Sequence, residues 1–141
     1  MSAENIFNCL LWLAGAGHFL ILAASFQVPA RLRWKEDLAK LMPLNRKLLW
    51  VQSSFTVLTI IAFGTMTLAL HHEIMRGDKA ATVLAIFIAV YWTARIGVDA
   101  FYFSHDDWPA GNQFVVGHAL LTLLFVFLAV TYWIVALRAF I

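Results

Sequence analysis

The stretch QFVVGHALLTLLFVFLAVTYWIVAL, residues 113–137, contains no Asp, Glu, Lys or Arg. A helix that crosses a bilayer needs about 20 consecutive, mostly apolar residues. This stretch is long enough to do so, and its few polar side chains carry no permanent charge. It therefore predicts a transmembrane helix in the last part of the chain.

Three more long, mostly apolar stretches precede it, and we predict them as spans at about 5–26, 47–70 and 80–103. Hydrophobic residues make up 62% of the chain and charged residues only 13%, whereas soluble domains carry about 25% charged residues. We therefore expect an all-α integral membrane protein, with residues 1–141 forming a single transmembrane domain built as a four-helix bundle.

The first connection, QVPARLRWKEDLAKLMPLNRK, is strongly basic. Its only acidic residues are Glu36 and Asp37, whereas its basic residues are Arg31, Arg33, Lys35, Lys40, Arg46 and Lys47. The positive-inside rule predicts that loop 27–46 is cytoplasmic and that both termini lie outside a bacterial-type inner (plasma) membrane. Because no Lys or Arg precedes the first apolar run, we expect that run to be a retained span rather than a signal peptide.

The same loop has helical spacing. Trp34, Leu38 and Leu41 share one face, which predicts a short amphipathic helix on the inner membrane surface. We expect Pro43 to end this helix and Asn45 to cap the second span. Two roles stay open at this point: attraction to anionic lipid headgroups, or a signal that only orients the chain.

Composition excludes several classes of function. The only cysteine is Cys9, so neither an intrachain disulfide nor a cysteine-based metal cluster is possible. The sequence has no Gly-rich phosphate loop and no basic tract with interleaved aromatic residues, so we expect no nucleic-acid partner. No catalytic motif assigns the chain to an enzyme class. The expected partners are membrane lipids and either other membrane subunits or further copies of the chain.

Apart from Lys47 at the edge of the second span, the predicted spans contain four His, Lys, Arg, Asp or Glu residues: His18, Arg95, Asp99 and His118. A charge at the centre of a spanning helix costs about 2.5–3.5 kcal/mol on insertion scales, so such residues usually face a partner or a functional site. Arg95 and Asp99 are four residues apart, so one alternative is an ion pair along the helix. The other is that Arg95 binds an anionic group.

Each predicted span also has one face of polar or small residues at helical spacing. Thr56 lies on this face of the second span with Gln52 at its border, and Tyr102 shares a face with Arg95 and Asp99. If the four faces point inward, they form a buried polar cluster near the cytoplasmic side. Its members are His18, Arg95, Asp99, His118, Gln52, Thr56 and Tyr102.

Glycines accompany both histidines: Gly15 and Gly17 flank His18, and Gly117 precedes His118. Neutral imidazole is the commonest metal ligand, and histidines on facing helices can hold a haem iron. In its four spans and two histidines the chain resembles small four-helix membrane b-type cytochromes. The resemblance implies electron transfer by a haem b between His18 and His118, with Arg95 near a propionate.

Four alternatives to haem binding stay open. One is a lipid-modifying enzyme, in which the cluster of His, Arg and Asp beside the amphipathic helix holds a lipid head group, although no catalytic motif supports it. The histidines can be hydrogen-bonded core residues, His118 with Asp99 and His18 with Thr56 or Gln52. The polar faces can form a proton path or small transporter, although Leu11 and Phe63 interrupt such a path. The chain can also be an accessory or structural subunit of a larger membrane complex.

Overall fold

The computed structural model describes residues 2–141, which are 84% helical and contain no strand. In chain order the helices are α1 (Ala3–Ser25), α2 (Val28–Arg31), α3 (Trp34–Leu38), α4 (Pro43–Ala69), α5 (His71–Arg76), α6 (Lys79–Phe101) and α7 (Asn112–Arg138). Helices α1, α4, α6 and α7 are long and apolar enough to cross a membrane. The predicted all-α bundle of four spans is therefore confirmed.

The basic connection forms two short helices, α2 and α3, where the sequence predicts one. Arg33 lies between them with φ at 53°, a left-handed conformation that interrupts the helix. The Trp34 ring packs edge-on against Trp50 of α4 with centroids 5.6 Å apart, and Leu38 is buried. The apolar face of this segment is thus partly covered by the protein itself, although Leu41 stays exposed.

Helix α4 begins earlier than expected. Pro43 is its first residue and follows Met42, which is the N-cap residue. Proline suits this position because its fixed φ is helical and its missing N–H would have no partner there. The prediction that Pro43 ends the preceding helix is therefore wrong, and so is the prediction of an Asn45 cap, because Asn45 lies inside α4.

The spans run up and down, with α1 packed against α4 and α7, and α6 packed along α7. Gly64 allows the close approach of α4 to α1, because a Cβ there would lie 2.8 Å from the Phe19 ring and 3.1 Å from His18 Cβ. Arg138 lies over the Phe7 ring at 4.4 Å, so α1 begins where α7 ends. We call this the terminal end. The opposite end, with residues 26–42 and 102–111, is the basic end.

The packed core lies in the middle of the bundle and towards the terminal end. Buried residues occupy 11–22 of α1, 60–67 of α4, 81–92 of α6 and 125–136 of α7. No residue of α4 before Ile60, of α6 after Trp92 or of α7 before Phe125 is fully buried. The spans therefore stay partly accessible at the basic end, where the sequence predicts a buried cluster.

Candidate functional site

His18 lies in the centre of the core and is completely buried. Its Nδ1 is 2.9 Å from the carbonyl oxygen of Ala14, and its Nε2 is 3.1 Å from the indole Nε1 of Trp92. Because an indole N–H only donates, Nε2 must accept, and the ring proton lies on Nδ1. Both nitrogens of a neutral His18 are therefore satisfied within the protein.

A second buried hydrogen bond links the other two spans. Thr67 donates to the carbonyl of Phe63 at 2.7 Å, and the Tyr132 hydroxyl lies 2.6 Å from Thr67 Oγ1. Since the single Thr67 proton goes to Phe63, Tyr132 is the donor. The Tyr132 ring packs edge-on against His18 at 5.8 Å. We call His18, Trp92, Tyr132 and Thr67 the core network, with one residue from each span.

His118 belongs to a separate group near the basic end. Its Nε2 lies 2.8 Å from Asp99 Oδ2, and Thr122 donates to the same oxygen at 3.0 Å. The Trp108 ring covers His118, with centroids 4.3 Å apart. The structure thus contains the predicted hydrogen bond between His118 and Asp99. The side chain of Asp99 is 8% exposed and that of His118 is 29% exposed.

Arg95 lies one helical turn from Asp99 but does not pair with it. In the described residues, no carboxylate lies within 4.0 Å of its guanidinium and no hydrogen bond involves its side chain. Its Cζ lies 5.4 Å from the Phe125 ring centroid and 5.9 Å from that of Phe103. The alternative of an ion pair between Arg95 and Asp99 is therefore wrong, because Asp99 is bound by His118 and Thr122.

The remaining members of the predicted cluster are not buried. Gln52 and Thr56 are exposed on α4, and Tyr102, just beyond α6, is 79% exposed. Thr56 needs no partner on another helix, because its hydroxyl donates to the backbone oxygen of Gln52 at 3.0 Å. Within a single copy of the chain, the prediction that Gln52, Thr56 and Tyr102 are buried is wrong, because all three lie beyond the packed core.

The two histidines proposed as haem ligands have different partners and share no contact. A Cβ at Gly15 would lie 2.6 Å from the Leu68 side chain, so this glycine allows α4 to pack closely against α1. A Cβ at Gly117 would meet nothing within 4 Å. Among the side chains that the structure describes, no group of three or more His, Cys, Asp or Glu could hold a metal ion. Haem binding by His18 and His118 stays a prediction.

The terminal end holds a polar contact that sequence reasoning missed. His71 Nε2 lies 2.6 Å from Asn8 Oδ1, and Trp12 stacks on the imidazole at 4.4 Å. Burial of His71 disfavours its charged form, as does the nearby His72, and both lower the pKa of its imidazole. The polar residues at the ends of the first two spans are the only sequence signal for this contact.

Sequence reasoning also missed the partners within the core network. Trp92 and Tyr132 lie on the polar faces that helical spacing defines, so periodicity could have found them as candidates. Comparison with known proteins adds no further candidate. No family model matches the chain, and no curated protein or solved structure matches it.

Proposed function

We propose that this protein binds an anionic amphiphile at its basic end and that Arg95 holds the phosphate or carboxylate of the head group. The supporting observation is the environment of Arg95, a partly buried cation on a membrane-spanning helix without a carboxylate partner in the described chain. A charge on a span usually has a partner of opposite sign. An anionic ligand would supply that partner.

The guanidinium is suited to this ligand. It presents donors in a planar fork that matches two oxygens of a phosphate or carboxylate. Arg95 lies six residues before Phe101, the last residue of α6, so its Cα is about 9 Å from the helix end. Its guanidinium lies between the buried Phe125 ring and the Phe103 ring, which is at the basic end. A long cationic side chain at this depth can extend to the head groups.

The surroundings of Arg95 favour a lipid over a soluble anion. From Arg95 to the basic end, helix α6 has no fully buried residue. An amphiphile can therefore approach Arg95 from the bilayer. At the same end Lys35, Arg46 and Lys47 are exposed, and no described carboxylate pairs with them. On an anionic leaflet each such cation contributes about 1 kcal/mol to attraction, but in detergent or in zwitterionic vesicles, which have no negative surface potential, this contribution is largely absent. We propose accordingly that the basic end faces the cytoplasm in a bacterial-type plasma membrane.

The test is a titration of delipidated protein in mild detergent with phosphatidylglycerol, followed by native mass spectrometry. Arg95→Gln removes a charge-assisted hydrogen bond, so its affinity should fall about tenfold. Arg46→Gln is the matched control, an exposed arginine at the same end, and should bind within about twofold of the unaltered protein. Equal binding by Arg95→Gln would refute the proposal. Displacement of the lipid by inorganic phosphate at equal concentration would identify a soluble anion as the ligand.

Haem binding is the second candidate, and one observation favours it. His18 Nδ1 donates to the Ala14 carbonyl, as ligand histidines commonly do while Nε2 faces the metal. Ligation requires the Trp92 indole to leave Nε2. A Soret band in protein from haem-replete cells, lost in both His18→Ala and His118→Ala, would establish a cytochrome, and a colourless folded protein would exclude one.

The proton-path and subunit hypotheses have less support. A relay through the core network would stop at Trp92, because an indole N–H donates but has no lone pair to accept a proton. Membership of a larger complex would be tested by the mass of the protein when it is extracted under mild conditions.

A further inference from the structure

Arg95 and Asp99 have the spacing of a helical ion pair, but their side chains form no such pair within 4.0 Å in the described chain. Residues four apart on a helix are neighbours, and opposite charges at this spacing attract each other. In lipid the attraction is stronger than in water, because the dielectric constant is lower. The carboxylate nevertheless makes its hydrogen bonds to α7, and none to Arg95 is found in the described chain.

Two side chains of α7 hold this carboxylate. His118 and Thr122 are one turn apart, and both reach Asp99 Oδ2, at 2.8 Å and 3.0 Å. The Trp108 ring lies against the imidazole at an interplanar angle of 39° and limits its movement. The two contacts to one oxygen, with 92% of the Asp99 side chain shielded, fix the carboxylate on the α7 side of α6.

We propose that His118 and Thr122 are positioning residues that hold Asp99 away from Arg95 and so keep the guanidinium available for an anionic head group. The inference rests on the proposed function of Arg95. When the α7 contacts are removed, Asp99 can turn to Arg95 and compete with the lipid. This competitor is attached to the same helix, so its effective concentration is high.

The experiment is the same phosphatidylglycerol titration, applied to His118→Ala and to the double variant His118→Ala with Asp99→Asn. The single variant should bind about threefold or more weakly, the factor expected for a side-chain interaction of average strength within a membrane. The double variant should regain the affinity of the unaltered protein, because a neutral amide does not pair with Arg95 as a carboxylate does. A role in folding alone does not predict this rescue.

The inference is overturned if His118→Ala binds phosphatidylglycerol as tightly as the unaltered protein. It is also overturned if the affinity of the double variant stays as low as that of His118→Ala. If His118→Ala does not fold, Thr122→Val carries the test, because it removes one hydroxyl at nearly constant volume and should be rescued by the same Asp99→Asn change. Arg95→Gln in the same series separates the two claims. If Arg95→Gln binds phosphatidylglycerol as the unaltered protein does, the proposed function is refuted. If Arg95→Gln loses affinity while His118→Ala keeps it, only the positioning role is refuted.

Discussion

The hydrogen bond from Trp92 to His18 should be measurable as a coupling between α6 and α1. His18→Leu would leave the buried indole N–H without an acceptor, and Trp92→Phe would leave His18 Nε2 without a donor. An unsatisfied buried polar group costs about 1–3 kcal/mol, so each single variant should lose about that much stability. Trp92→Phe also loses part of the stacking on Phe125, whose ring centroid is 5.0 Å away.

A double-mutant cycle separates the hydrogen bond from these packing losses. The lost ring area of Trp92→Phe is common to the single and the double variant, so it cancels. Hydrogen bonds between spans give coupling energies of about 0.6 kcal/mol on average and up to about 1.7 kcal/mol. His18 and Trp92 are both fully buried, so we expect a value in the upper half of that range.

The assay is reversible unfolding of the purified protein by a denaturing detergent, followed by circular dichroism. Trp133→Phe combined with His18→Leu is the control, because Trp133 donates to Thr93 and not to His18. Its effect should add to that of His18→Leu. A coupling between His18 and Trp92 no larger than in this control would show that the central hydrogen bond does not form in the membrane protein.

Three further predictions follow from the same contacts. Gly64→Ala should destabilise the fold by about 1–3 kcal/mol, because its Cβ overpacks against α1. Gly117→Ala, with nothing within 4 Å of its Cβ, should not unfold at a lower detergent concentration than the unaltered protein, because alanine is the better helix former. Tyr132→Phe should cost about 0.6–1.7 kcal/mol through its lost hydrogen bond in the same assay, and no loss would contradict the core network. The pKa of His71 lies below its ordinary value of 6.5, so the unfolded chain takes up this proton first, and stability should fall as the pH drops below about 6.5. His71→Gln should remove this loss of stability at low pH. If stability depends on pH in the same way in His71→Gln and in the unaltered protein, the prediction is refuted.

The spans could be predicted from sequence because lipid leaves few alternatives to a long apolar helix. The partners of each polar residue could not, because they depend on how far neighbouring helices extend. Thr56 and His18 both lie on the predicted inward faces, but only His18 lies at a level where all four spans pack. Spacing alone permits a pair between Arg95 and Asp99, and the competing donors on α7 decide against it.

The basic connection shows the same limit at a local scale. Its apolar spacing predicts a face for the membrane surface, whereas Trp34 of that face packs against Trp50 of α4. The break at Arg33 has no signal in the sequence, because an arginine has no preference for a left-handed conformation. The position of Pro43 was ambiguous for a physical reason, since proline both ends a helix and favours the first turn of the next one.

The most direct test of the central claim is the lipid selectivity of Arg95 in a bilayer. Spin-labelled phosphatidylglycerol and spin-labelled phosphatidylcholine would be compared by electron paramagnetic resonance in phosphatidylcholine vesicles that contain the protein. We predict a larger motionally restricted fraction for phosphatidylglycerol, which falls to the phosphatidylcholine value in Arg95→Gln and persists in Arg46→Gln. Equal fractions for the two lipids in the unaltered protein, or selectivity that survives in Arg95→Gln, would contradict the account.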